Sequence, residues 1–146
     1  MSRLTLDQAR RIIAAGQQAA HELAAKPLAL VVLDGGGHAL AVERHERASL
    51  FRAEIATAKA KGALGMGQGS RALAERAKAS PAFFASLAAV TGGQIVPAAG
   101  GVLIRDEAGE IIGAVGVSGD TPDMDETCAM AGIGAVGLVG DPGKAS

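Results

Sequence analysis

"LALVVLDGGGHALAVERHE", residues 28–46, decides the class of fold. Residues 28–34 are an almost wholly apolar run closed by Asp34-Gly35-Gly36-Gly37, a stretch able to take positive φ and turn tightly. Residues 38–46 return as a second strand, in which Ala39, Ala41 and Glu43 face opposite to Leu40, Val42 and Arg44. Two strands joined by so short a turn must run antiparallel.

The flanking segments extend this hairpin. "TLDQARRIIAAGQQAAHELAAKP" (5–27) reads as a helix with a Thr5/Gln8 capping box. Its apolar face holds Ala9, Ile12, Ile13, Gly16, Ala20 and Leu23, and Pro27 stops it. Residues 49–66 and 70–80 read as further helices, and Ser80-Pro81 as the N-cap and first position of a short fourth. The last third is strand-rich, with "GQIVPAAGGVLIRDE" (93–107), a tight turn, and "IIGAVGVSG" (111–119). A final helix runs from Asp120 to about Leu138, before a tail without structure. The expectation is an α+β domain, an antiparallel sheet of about five strands (hairpin plus meander) covered by helices. It forms a single unit over residues 1–140, with 141–146 a flexible tail.

Composition narrows the function. Fourteen Lys and Arg stand against 15 Asp and Glu, so no basic field steers the chain to nucleic acid. Three Phe and no Trp or Tyr leave few platforms on which bases could stack. One cysteine, Cys128, allows no internal disulfide. The N-terminus lacks the apolar core of a signal peptide and no run is long enough to span a bilayer, which makes the cytoplasm the expected location and gives no membrane partner.

Several residues are candidates for chemistry, each with a plainer explanation beside it. In "SGDTPDMDETCAMAG" (118–132), Asp120, Asp123, Asp125 and Glu126 crowd the start of the last helix, where carboxylates complement the helix dipole. Asp125 or Glu126 could instead serve as an acid/base. The spacing excludes an EF-hand loop. Cys128 lies early in that helix, where the dipole could lower its pKa, but a buried, inert thiol is the better reading. Gly100, Gly101, Gly113, Gly116 and Gly119 in or beside strands point to close backbone approach, bulges or a ligand against the sheet, with Ser118 among them. His21 falls outside the apolar face of the first helix and reads first as an ordinary exposed imidazole; with a ligand at a subunit junction it is the one helical imidazole free to coordinate iron. His38 reads as a surface residue; His45 shares a strand face with Glu43. The His-x3-His spacing of a zinc site is missing. Arg44 and Lys59 suit a ligand carboxylate, or are ordinary surface charge.

These stretches together resemble the GlcG/HbpS family of small haem-binding or haem-degrading proteins, and the C-terminal part of some corrinoid adenosyltransferases. The resemblance rests on "LALVVLDGGGHALAVER", "AEIATAKAKGAL", "GGQIVPAAGGVLI" and above all "GEIIGAVGVSGDTPDMDETCAMAG", in family order over residues 5–138. Many members read "GGVP" where this chain has "GGVL" at 100–103. The resemblance implies a profilin-like, GlcG-like fold and a symmetric homo-oligomer, tetramer to octamer, with ligand near subunit contacts. It implies haem as cofactor, His21 as metal ligand, and Arg44 or Lys59 toward the propionates. His45, Gly100, Gly101 and Ser118 then belong to the ligand-binding set. Two other readings stay open. One is a small-molecule catabolic enzyme (lyase, isomerase or hydrolase) with Asp125, Glu126 and Lys59 as catalytic residues. The other is a non-catalytic accessory assembly.

Overall fold

A computed structural model describes residues 3–143. The elements follow the expected order, with one addition at the end. Helix α1 (Leu6–Glu22) leads to strands β1 (Ala29–Asp34) and β2 (Ala39–Arg44). Helices α2 (Arg52–Met66), α3 (Ser70–Ala79) and α4 (Pro81–Val90) come next. Strands β3 (Gly101–Arg105) and β4 (Ile111–Ser118), helix α5 (Pro122–Ala135) and strand β5 (Val139–Asp141) complete the chain.

All five strands form one antiparallel sheet in the order β2-β1-β4-β3-β5. The first hairpin closes as its composition requires. The Asp34 carboxylate accepts from the Gly36 and His38 amides at 2.9 and 3.0 Å, and Gly37 takes φ +84°. The hairpin joins the later strands through β1 and β4, which pair from Ala29↔Ser118 to Asp34↔Gly113.

Helix α2 packs on one face of the sheet, its Ala56, Ala60 and Ala63 against Val31, Leu33, Leu103 and Ala114. Helices α1 and α5 cover the other, bringing Ile12, Ile13, Cys128 and Ile133 onto Leu30, Val32, Val115 and Val117. Burial on both faces is why β1, β3 and β4 read as continuous apolar runs rather than alternating ones. Edge strand β2 carries the mixed pattern. Alanines on α2 bring its backbone close to the sheet, and Gly116 meets it there: a Cβ at that position would overlap the Ala56 carbonyl.

Some boundaries differ from expectation. The Thr5/Gln8 capping box is present, with bonds of 3.1 and 3.0 Å, but α1 ends at Glu22, well before Pro27. Leu23 is therefore the cap residue and lies exposed instead of on the apolar face. Only Gly101–Arg105 of the 93–107 stretch is strand; Pro97, which has no N–H to give a ladder, sits in the loop before it. Pro81 is at the first turn of α4, but the Ser80 side chain makes no capping bond. Thr121, not Asp120, caps α5, accepting from the Met124 amide at 3.2 Å. Helix α5 ends at Ala135, short of Leu138; Val139–Asp141 then pairs with β3, and Pro142, inside the expected tail, accepts from the Arg71 amide through its carbonyl. Residues 144–146 lie outside the described residues. No described helix is long and apolar enough to cross a membrane.

Candidate functional site

The residues singled out in the sequence separate into two places. The first is interior, where the end of β4 meets α2 and α5. Lys59 Nζ donates to Asp125 Oδ2 and to the Val117 carbonyl, both at 3.0 Å. The two side chains are 4% and 2% exposed. The other oxygen of Asp125, Oδ1, accepts from the Asp120 amide at 3.0 Å, so the carboxylate also closes the start of α5. Burial pushes the Asp125 carboxyl up and the Lys59 ammonium down, and their mutual attraction opposes both shifts.

Gly100, Gly101 and Ser118 surround this pair. Gly100 takes φ +122°, and a Cβ on it would lie 2.8 Å from the Val117 carbonyl and 2.9 Å from Lys59 Nζ. Gly101 lies against the Lys59 carbonyl and donates its amide to the buried Ser70 hydroxyl at 2.7 Å. Ser118 is sealed and accepts from Arg52 at 3.2 Å. Close backbone approach, one of the alternatives open for these glycines, is what the fold displays.

Glu126 points to a neighbouring arrangement. Arg71, in the first turn of α3, grips it through Nε at 2.8 Å and Nη2 at 3.3 Å, and also pairs with Asp123. The acidic stretch is thus divided among Lys59, Arg71, the Lys26 amide on Asp120, and the helix start. Cys128 is buried beneath it, and its thiol is pushed up to about 11, by burial first and by the charges of Asp125 and Asp120 next. The helix-dipole effect considered for it is outweighed.

Neither Arg71 nor Arg52 was singled out in the sequence. Both partner residues lie on elements far away along the chain, and no local pattern marks such a pairing.

The second place is a surface groove of about 490 Å³ between the end of α1 and the end of β2. It gathers His21, Arg44 and His45, with Ala20, Ala25, Pro27 and Leu28 as apolar wall and Lys26, Glu43 and Glu46 at its edges. Arg44 curls over the loop after β2, donating from Nη1 to the carbonyls of His45 (3.0 Å) and Ala48 (2.9 Å). His45 Nδ1 accepts from the Arg47 amide at 3.0 Å, which leaves the proton of the neutral ring on Nε2. The His21 ring lies exposed on the last turn of α1. Lys26 was not anticipated as a groove residue. Among the described residues no group of three or more His, Cys, Asp or Glu is placed to hold a metal ion.

An antiparallel five-stranded sheet with α2 on one face and α1 and α5 on the other, locked by a buried Lys–Asp pair, defines the structural class. The sequence model of a family described as "Haem degrading protein HbpS-like" matches residues 4–142, and the chain belongs to that family. Solved structures agree. The crystal structure of a PduOC:heme complex superposes with a TM-score of 0.84 at 24% identity, covering 94% of this chain and 97% of that one. The Klebsiella pneumoniae protein ORFY gives 0.83 at 25% identity, with 94% and 93% covered. HbpS gives 0.81 at 26%, with 93% and 92% covered. No curated protein sequence matches the chain significantly.

Proposed function

We propose that this protein binds haem in the groove between the end of α1 and the end of β2. The observation that carries the reading is that His21 at the end of α1 and the adjacent Arg44 and His45, more than 20 positions later, line one groove of about 490 Å³. Membership of the HbpS-like family supports it, as does the fold shared with a haem complex of PduOC.

The donor set suits the ligand. Bound haem supplies an iron that takes an imidazole nitrogen with its lone pair free. His21 offers that; His45, whose Nδ1 already accepts from Arg47, presents a protonated Nε2 and suits hydrogen bonding instead. Arg44 retains donors beyond Nη1, and with Lys26 it provides cations for the propionates. Ala20, Ala25, Pro27 and Leu28 give the ring an apolar seat. Lys59, the other cation considered for the propionates, is instead held by Asp125 inside the protein.

The groove is open on one side, and a second copy of the chain would cover the exposed ring face. Leu50 and Phe51, between β2 and α2, and Phe83 on α4 are large apolar side chains left exposed on the single chain. Asp125 and Glu126 are assigned a structural part, because their oxygens hold Lys59, the Asp120 amide and Arg71. Titrating the protein with haemin tests the reading: a saturable Soret shift is expected for the wild type, and a loss of most of it for His21→Ala. Equal uptake by the two proteins would remove His21 as ligand. Native mass spectrometry of the loaded protein reports the number of copies in the same experiment.

A further inference from the structure

A second groove, of about 730 Å³, shares no residue with the one at His21. It lies between the last turns of α2, the end of α4 and the glycine turn of the first hairpin. Leu64, Met66, Leu87, Val90 and Ile95 form its apolar wall, and His38, Lys61, Thr91 and Gln94 are its polar side chains. Among the described residues no Asp or Glu lines it, and Lys61 is its one ammonium group. Lys61 Nζ rests 2.9 Å from Gln94 Oε1, a neutral acceptor, so its charge has no counter-ion there. A groove of this size that combines apolar side chains with a few polar ones has the make-up of a small-molecule site.

Gly65 adds an independent observation. Glycine within a helix costs stability relative to alanine, so its presence there asks for a packing reason. Gly62, one turn earlier, has one, since a Cβ there would lie 2.8 Å from Ile95 Cγ1. A Cβ at Gly65 would meet nothing within 4 Å. Gly65 lines the groove, so a side chain there would enter it.

We propose that this groove binds a small apolar monocarboxylate, its carboxylate taking the place of Gln94 Oε1 on Lys61 Nζ and its hydrocarbon along Leu64, Leu87 and Ile95. The charge is complementary: an ammonium bonded to a carboxylate makes a stronger hydrogen bond than one bonded to an amide oxygen. Octanoate is a suitable probe, with octylamine as the control of equal length and opposite charge. Isothermal titration calorimetry should show saturable octanoate binding and none of octylamine. Lys61→Met should weaken octanoate by about tenfold or more. Gly65→Leu, which fills the groove, should abolish binding while the circular dichroism spectrum stays that of the wild type. His21→Ala should leave octanoate binding unchanged, which separates this site from the haem groove. The proposal is overturned if octanoate does not bind, or if both groove variants bind it as the wild type does. It is overturned equally if sedimentation shows an assembly that Gly65→Leu dissociates, since the groove would then hold a second copy of the chain.

Discussion

Lys59 Nζ stands 3.0 Å from Asp125 Oδ2, and this one ion pair joins the middle of α2 to the first turn of α5 behind the end of β4. Two charges withdrawn from water gain little net stability, but either one left alone is expensive. Lys59→Met, which strands the carboxylate, should cost about 3–5 kcal/mol in chemical denaturation. The double variant Lys59→Met/Asp125→Asn removes both charges yet keeps an acceptor for the Asp120 amide. It should lose clearly less than the sum of the two single variants. Additive losses would mean that the two groups do not act as a pair.

The separation of that pair from the His21 groove has its own consequence. Asp125→Asn should lower the melting temperature and leave haemin uptake at the wild-type level, whereas His21→Ala should do the reverse. A single titration series on the two variants decides it, and loss of uptake in Asp125→Asn would tie the interior cluster to the ligand.

Arg71 holds Glu126 with a two-nitrogen fork that a lysine cannot reproduce. Glu126 is only 10% exposed in that contact, so removing the fork leaves a largely buried carboxylate short of donors. Arg71→Ala should cost about 1–3 kcal/mol, and Arg71→Lys should recover only part of this. Thermal denaturation of the two variants against the wild type measures both.

Local chemistry explains what could be read from the chain without coordinates. The Asp34 turn, the Thr5/Gln8 cap and Pro81 act within a few residues, so α1, the first hairpin and α4 were legible. The sheet was legible because tight turns force neighbouring strands to run antiparallel. Strand β5 was not: Val139, Gly140 and Asp141 gain their ladder only from β3, some 35 positions away. The same holds for the site. His21, Arg44 and His45 could be named by type, but their meeting depends on α1 crossing the end of β2. Lys59 and Asp125 were named as reactive groups, and only long-range packing makes them partners. Arg71 had no local signature at all.

Asp34 gives the first hairpin a pH dependence whose sign follows from its bonds. The His38 amide, and with it the Gly36 amide, holds the carboxyl below its ordinary value of 3.8, against a smaller opposing effect of burial. A depressed folded-state pKa means stability that is complete above 3.8 and fades as pH falls through the lower folded value. The difference in unfolding free energy between the wild type and Asp34→Asn should therefore shrink on acidification below that point. A difference that grew with acid would contradict the turn described here.

Cys128 is chemically silent in the folded protein for two reasons that reinforce one another. Its thiol is fully buried between α1 and the sheet, and its pKa, about 11, leaves almost no thiolate at neutral pH. Iodoacetamide at pH 8 should leave the native protein unmodified for as long as it stays folded. Denaturant should expose the thiol to ordinary alkylation, so the labelling rate, followed by mass spectrometry, reports opening of α5 from the sheet. Lys59→Met loosens the same helix, and its Cys128 should label faster than that of the wild type under native conditions. Equal rates in the two proteins would show that the buried ion pair does not hold α5 in place.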